Sequence, residues 1–281
     1  MSSRLKVSQP DKHLSENEAN RFKNLAAGCK VLPYRLRSVS DFLSAVSTVF
    51  QGTESYWFRG QASSAHGLTP SALRSDRKRD RDTAVDLLVT FKRIAEIKLS
   101  RAPLAEEDLK WVQIAQHYGL PTRLLDWTES PTIGLFFACR RKWNTDGLVY
   151  MLNPSDLNSR SVDENRVLNS LLDSDQLDRF VKLKGEKRSR GLPNVAIDPV
   201  WNSERIVVQK GVFTLHGSRN FSLDAEQSTS LIALPILKED KEQLHFELER
   251  LGIDQMTLFP ELEHTCQFLT RRAGLRSREE G

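Results

Sequence analysis

Between Trp111 and Thr128 the chain sets Gln113, Gln116, His117, Tyr118, Thr122, Arg123, Asp126 and Thr128 among Val112, Ile114, Ala115, Leu120, Leu124, Leu125 and Trp127. Glu129-Ser130-Pro131 and the apolar run Thr132–Cys139 follow at once. Polar groups placed among apolar neighbours are carried partly into the interior, where each must be paired within the protein or left facing a ligand. This density exceeds what a plain connection between two core helices needs, which makes the stretch the first candidate for a site.

The rest of the chain sets bounds. At 281 residues it is one large domain or two small ones. Its 39% apolar and 8% aromatic residues allow a sizeable core. No run approaches the roughly 20 apolar residues of a membrane span, and the start Met1-Ser2-Ser3-Arg4-Leu5-Lys6 lacks the apolar middle of a secretory signal. Cys29, Cys139 and Cys266 are an odd, scattered set, which argues against a disulfide framework or a zinc site and fits a reducing cytoplasm. The net charge of +4 is mild, but the basic residues cluster at Arg74–Arg81, Lys182–Arg190 and Arg271–Arg278. These are solvated faces, or they attract a polyanion such as RNA, DNA or an acidic partner. Asp76, Asp80 and Glu186 interrupt two of the runs and weaken the second reading.

Periodicity and punctuation suggest the elements. Residues 1–32 read as a polar arm or a short helix. Ser40 offers an N-cap to a helix ending near Phe50, and Tyr56–Gly60 reads as an aromatic strand. Val85, Leu88, Phe91, Ile94 and Leu99 predict a helix over 83–100. A second helix is expected from Glu106 to Tyr118, stopped by Gly119 and Pro121. Thr122–Thr128 reads as a bend, after which Thr128 or Ser130 caps a buried helix with Pro131 in its first turn. Later signals predict strands at Gly147–Leu152, Arg205–Gln209, Val212–His216, Leu231–Leu237 and Met256–Phe259. A helix is expected over Glu239–Leu251, and Pro260 opens a last helical segment. Helices thus fall mostly first and strands later, which predicts an α+β fold.

The common phosphate-loop, dinucleotide, zincin and hydrolase motifs are missing, and the histidines at 13, 66, 117, 216, 245 and 264 show no i,i+3 or i,i+4 pairing. What the chain does carry is Phe58-Arg59-Gly60-Gln61, Leu68-Thr69-Pro70-Ser71-Ala72-Leu73-Arg74 and Gln116-His117-Tyr118-Gly119-Leu120-Pro121-Thr122-Arg123-Leu124-Leu125-Asp126-Trp127-Thr128. Later come Arg205–Thr214 and Thr257–Leu262. In this order the pieces resemble the FRG domain over residues 38–270. The resemblance implies a 1–32 arm, a single FRG domain at 33–272 and a charged tail at 273–281. It also implies a mixed, mostly antiparallel sheet with N-terminal helices packed on it, similar to ADP-ribosyltransferases. The implied activity is NAD-dependent mono-ADP-ribosylation of a macromolecule in a toxin or phage-defence setting, with an antitoxin protein as a candidate partner.

That chemistry assigns roles. Breaking the nicotinamide–ribose bond passes through a cationic, oxocarbenium-like state, which a fixed carboxylate stabilises. The Glu261/Glu263 pair is the candidate, provided the segment is extended so that both face one way. If Pro260 starts a helix the two diverge and become first-turn acids that complement the helix dipole. Arg59, beside the permissive Gly60, is the candidate anchor for phosphate or ribose. The alternative is a buried arginine bonding loop carbonyls or Asp126. Gln116, His117, Tyr118, Thr122 and Arg123 complete the expected NAD contacts, with His117 otherwise a helix C-cap. Asp126, Thr128 and Gln209 are expected to orient the substrate, or to pair with Arg59 or Arg123, cap a helix and stabilise a turn. No metal is required. RNA is the favoured acceptor, from the Arg74–Arg81 and Lys182–Arg190 clusters alone. The other readings are a nucleotide- or partner-binding module without catalysis, and a nuclease.

Overall fold

The computed structural model describes residues 13–26, 28–50, 54–63, 67–100, 102–181, 191–224 and 230–274. The Lys182–Arg190 cluster, His66 and most of the expected 273–281 tail lie outside them.

The strands are β1 Lys30–Val31, β2 Trp57–Gln61, β3 Leu124–Thr128, β4 Gly147–Leu152, β5 Leu168–Asn169, β6 Val195–Asp198, β7 Gly211–Leu215 and β8 Leu231–Ile236. They form one eight-stranded sheet in the order β1-β8-β4-β2-β3-β7-β6-β5. The outermost pairs β1/β8 and β5/β6 are parallel and the others antiparallel. An α+β fold with a mixed, mostly antiparallel sheet is therefore what the chain adopts. Gly-Leu-Val-Tyr-Met-Leu of β4 is buried along its length, because helices cover both faces at the centre of the sheet.

The register divides the core. Phe58 opposes Thr128, and Asp126 opposes Phe213, so these residues share one face. On that face Phe58, Val149, Met151, Ile232 and Leu234 pack against α2 Val39–Ser47, α5 Pro131–Cys139 and α9 Lys238–Arg250. Further along it, Leu124, Phe213, Leu215, Val195 and Ile197 pack against α3 Lys78–Lys98, α4 Asp108–His117 and α7 Ser174–Val181. Between the two clusters β3 and β7 present Asp126, Thr128 and Gly211 instead of apolar side chains, so the seam stays unfilled. The opposite face packs Trp57, Leu125, Trp127 and Tyr150 against α1 Glu16–Leu25 and α6 Pro154–Val162.

Several expectations need correction. Helices and strands interleave along the chain. The cap of α2 is Ser38, whose hydroxyl accepts from Asp41 N while the Asp41 carboxylate accepts from Ser38 N, and not Ser40. Residues 124–128 form the strand β3 and not a bend. In place of the strand expected at Arg205–Gln209 stands α8 Glu204–Val208, because the Ser203 hydroxyl accepts from Ile206 N and starts a turn that β-branched residues alone would not favour. The strand expected at Met256–Phe259 is also a helix. Asp254 and Thr257 make a reciprocal capping box, and α10 Gln255–Leu258 forms there, ending before Pro260. Of the two readings of residues 1–32, the short helix is present in the described part as α1, and with β1 it packs on the body of the fold: Phe22 is fully buried and Val31 pairs with Ala233. Among the described residues no helix is long and apolar enough to cross a membrane.

Candidate functional site

The unfilled seam is a cavity of about 290 Å³. β2 and β3 supply its floor with Arg59, Gly60, Asp126 and Thr128; α4 supplies Gln113, Gln116 and His117; α8 and its end supply Arg205 and Gln209; Phe137 and Phe213 give apolar walls. Residues far apart in sequence thus meet because β2, β3 and β7 follow one another in the sheet.

Arg59 reaches the seam through a local opening of the ladder. β2 and β3 pair only at Phe58 and Thr128. Beyond that point the Asp126 carbonyl accepts 2.5 Å from Arg59 Nη1, and the Asp126 carboxylate lies 3.9 Å from the same atom. The alternative role, a half-buried arginine bonded to a carbonyl and near Asp126, is therefore present alongside the cavity-lining one. Burial holds the Arg59 pKa below the usual arginine value; Asp126 opposes that shift and the nearby charge of Arg74 adds to it. Arg59 Nε is buried with no hydrogen-bond partner. Gly60 lines the cavity and permits the expected close backbone approach. A Cβ there would lie 1.9 Å from the Gly134 carbonyl oxygen and 2.5 Å from Ala138 N. What approaches the backbone at Gly60 is α5.

A relay of amides and hydroxyls orders the wall. Gln116 Nε2 donates to Asp126 Oδ1 at 2.7 Å, and Thr122 Oγ1 donates to Gln116 Oε1. The Asp126 side chain is 66% exposed, so the carboxylate stands open at the mouth. Thr128 Oγ1 donates to the Gln209 carbonyl and Gln209 Nε2 to the Leu258 carbonyl, so Gln209 ties α8 to α10 as it lines the cavity.

The acidic pair separates. Glu261 precedes α11 Leu262–Arg272, and its carbonyl accepts from His264 N and Thr265 N, while Glu263 is exposed in the first turn of that helix. Glu261 comes to the rim of the cavity, 3.9 Å from His117 Nε2 and 4.0 Å from Arg205 Nη1. Glu261 Oε2 is buried without a partner. Burial lowers the His117 pKa, Arg205 lowers it further, and Glu261 raises it. His117 is thus biased toward the neutral imidazole.

The remaining expected contacts fall elsewhere. Arg123 is buried just ahead of β3, where Nη1 donates to the His216 and Gly217 carbonyls. Its pKa is pushed down to about 10 by burial, with Asp82 opposing and Arg81 reinforcing. Thr122 reaches the cavity only through Gln116. Tyr118 ends α4 largely exposed and faces a second concavity.

Two lining residues, Gln113 and Arg205, are not singled out by the sequence. Gln113 is buried in α4, donates weakly to Ser170 Oγ at 3.4 Å and leaves Oε1 unpartnered. A signal exists for it: Gln113, Gln116 and His117 stand at i, i+3 and i+4 and share one helix face. Arg205 is hidden when its segment is read as a strand; as part of a helix it lies one turn from Gln209.

Fold and site together define an α+β protein with a polar cavity at a seam of its sheet. Residues 54–147 match the family model described as the FRG domain. The match runs from just before β2 to the start of β4 and contains Arg59, Gly60, Gln113, Gln116, His117, Asp126 and Thr128, which supports an FRG domain in this part of the chain. Arg205, Gln209 and Glu261 lie outside the matched residues. A comparison with curated proteins found no match. A comparison with solved structures found no match either.

Proposed function

We propose that the cavity binds NAD+ and that the protein is a mono-ADP-ribosyltransferase acting on a macromolecule, with an ADP-ribosyltransferase-like use of its sheet. One observation carries the reading: Arg59 Nε, Gln113 Oε1 and Glu261 Oε2 are buried without partners on three residues that line or rim the same cavity. A buried polar atom left unpaired costs about 1–3 kcal/mol, and a ligand toward which these three side chains turn recovers that cost, since each atom is closed off from the cavity as it stands. A guanidinium suits phosphate oxygens and an amide suits the nicotinamide carboxamide. In the reaction the bond between ribose C1′ and the nicotinamide nitrogen breaks with its electrons leaving on nicotinamide. The acceptor oxygen or nitrogen attacks C1′ and gives up its proton to a base. Glu261 is the carboxylate placed to stabilise the cationic ribose and to take that proton, while Asp126, Thr128 and Gln209 orient the substrate.

RNA is the acceptor we favour. Arg77, Lys78 and Arg79 are exposed around the start of α3, and exposed Arg74 is close enough for its charge to act on Arg59. A toxin or phage-defence role, with an antitoxin partner, belongs to the same proposal and rests on the FRG resemblance. A catalytically silent nucleotide-binding module is the second reading, favoured by the position of Glu261 at the rim and not on the cavity wall.

The test is incubation with labelled NAD+ and either total RNA or lysate protein, alongside NAD+ titration. The wild type is expected to label RNA, and Glu261→Gln to lose transfer by roughly 10²–10³-fold while binding NAD+ about as well. Binding without transfer or nicotinamide release leaves the binding module; label on protein alone overturns RNA as the acceptor.

A further inference from the structure

A second cavity of about 230 Å³ adjoins the first, with His117 common to both linings. The first volume lies at the lower edge of the roughly 300–1,000 Å³ usual for a small-molecule site, and the two combined lie within it. The second cavity has apolar sides from Leu99 and Ile114, the ring of Tyr118, and the polar side chains of Asn202 and Ser203. Tyr118 is 64% exposed, and its position is held by His117 at 5.0 Å and Phe91 at 6.5 Å between ring centres. An exposed aromatic ring over an apolar floor with an amide at the edge is the chemistry that takes a planar heterocycle by stacking and edge hydrogen bonds. The first cavity, in contrast, concentrates the charged groups Arg59, Asp126 and Arg205.

We infer that the two cavities are one dinucleotide site divided by His117, and that the second, at Tyr118 and Asn202, holds the adenine ring while the first holds the nicotinamide half. This rests on the NAD+ reading above and adds the placement of the second base. It also gives Tyr118 a ligand contact outside the first cavity.

Calorimetric titration with NAD+ and with nicotinamide mononucleotide, which lacks the adenosine half, tests the division. The wild type is expected to bind NAD+ at least tenfold more tightly than the mononucleotide. Tyr118→Ala and Asn202→Ala are expected to weaken NAD+ about tenfold and to leave the mononucleotide within twofold. Tyr118→Phe, which keeps the ring, is expected to stay within twofold for both. Equal affinity of the wild type for the two ligands, unchanged NAD+ affinity in both truncations, or equal weakening of both ligands overturns the inference and leaves NAD+ binding in the first cavity standing. Failure of the wild type to bind either ligand overturns both. Both truncated side chains are exposed, so the variants are expected to melt with the wild type.

Discussion

Gly60 illustrates how a recognisable triplet divides its labour. Arg59 faces the seam with an unpartnered Nε, whereas Gly60 has no Cβ because the Gly134 carbonyl of α5 occupies that space. Gly134 answers it: a Cβ there would come within 2.8 Å of the Phe58 Cβ. Gly60→Ala must therefore push α5 away from β2. Such overpacking costs about 1–3 kcal/mol or more, and thermal melting is expected to show a loss of several degrees. A variant melting with the wild type would mean the helix can move freely at this crossing. The residues that convey site chemistry from sequence alone are those whose polarity conflicts with their surroundings, namely Arg59, Gln116, His117 and Asp126. Arg123 carries the same conflict, yet it is resolved internally by the His216 and Gly217 carbonyls. Polarity in an apolar context marks burial, and only the hydrogen-bond partners separate a structural group from one awaiting a ligand.

Short elements carry the least signal in the sequence. β1 has two residues and pairs only with β8; its periodicity is too short to register, and its partner lies some 200 positions away. α8 and α10 are helices because Ser203 and Asp254 satisfy first-turn N–H groups, which outweighs the strand preference of Ile, Val and Phe. Longer elements with a full apolar stripe or run, such as α3, α5, β4 and α9, are legible because many residues agree. The α1–β1 segment makes a testable case. Phe22 is fully buried, and burying such a side chain contributes about 1.5–3 kcal/mol. A chain beginning after residue 32 loses Phe22, Ala26 and the edge pairing of β1. It is expected to melt roughly 5 °C or more below the full chain. An unchanged melting temperature would restore the independent arm expected at 1–32.

Across the molecule, stability and acidity are coupled through a buried polar chain that joins β3 to β7. Trp127 Nε1 donates to Thr214 Oγ1, whose hydroxyl donates to His216 Nε2, and His216 Nδ1 donates to the Phe221 carbonyl. The carbonyl can only accept, which assigns the proton to Nδ1 and makes Nε2 the acceptor. Burial pushes the His216 pKa down from 6.5 to about 3, with the Phe221 bond opposing and Arg123 and Arg59 reinforcing. The unfolded chain takes up a proton on this histidine below about 6.5, and the folded chain does not until about 3. Stability is then expected to fall as pH drops through this window, by up to about 1.4 kcal/mol per pH unit. The lowered pKa of His117 acts in the same direction. Urea unfolding at pH 7, 6 and 5 checks the slope, and a flat profile would show that the folded chain takes up protons over this range as readily as the unfolded one.

Composition and apolar periodicity were enough to indicate an α+β fold, its longer helices and the polar stretch Trp111–Thr128 as the site candidate, because those properties are local and repeat along the chain. The expected caps were not found: Ser38 and not Ser40 caps α2, and Ser130 makes no side-chain bond to α5. The pairing of β2 with β3, the gap that lets Arg59 reach the Asp126 carbonyl, and the arrival of Glu261 beside His117 and Arg205 depend on contacts between distant segments. Strand order follows from which apolar faces bury together, and no single stretch of residues holds that information.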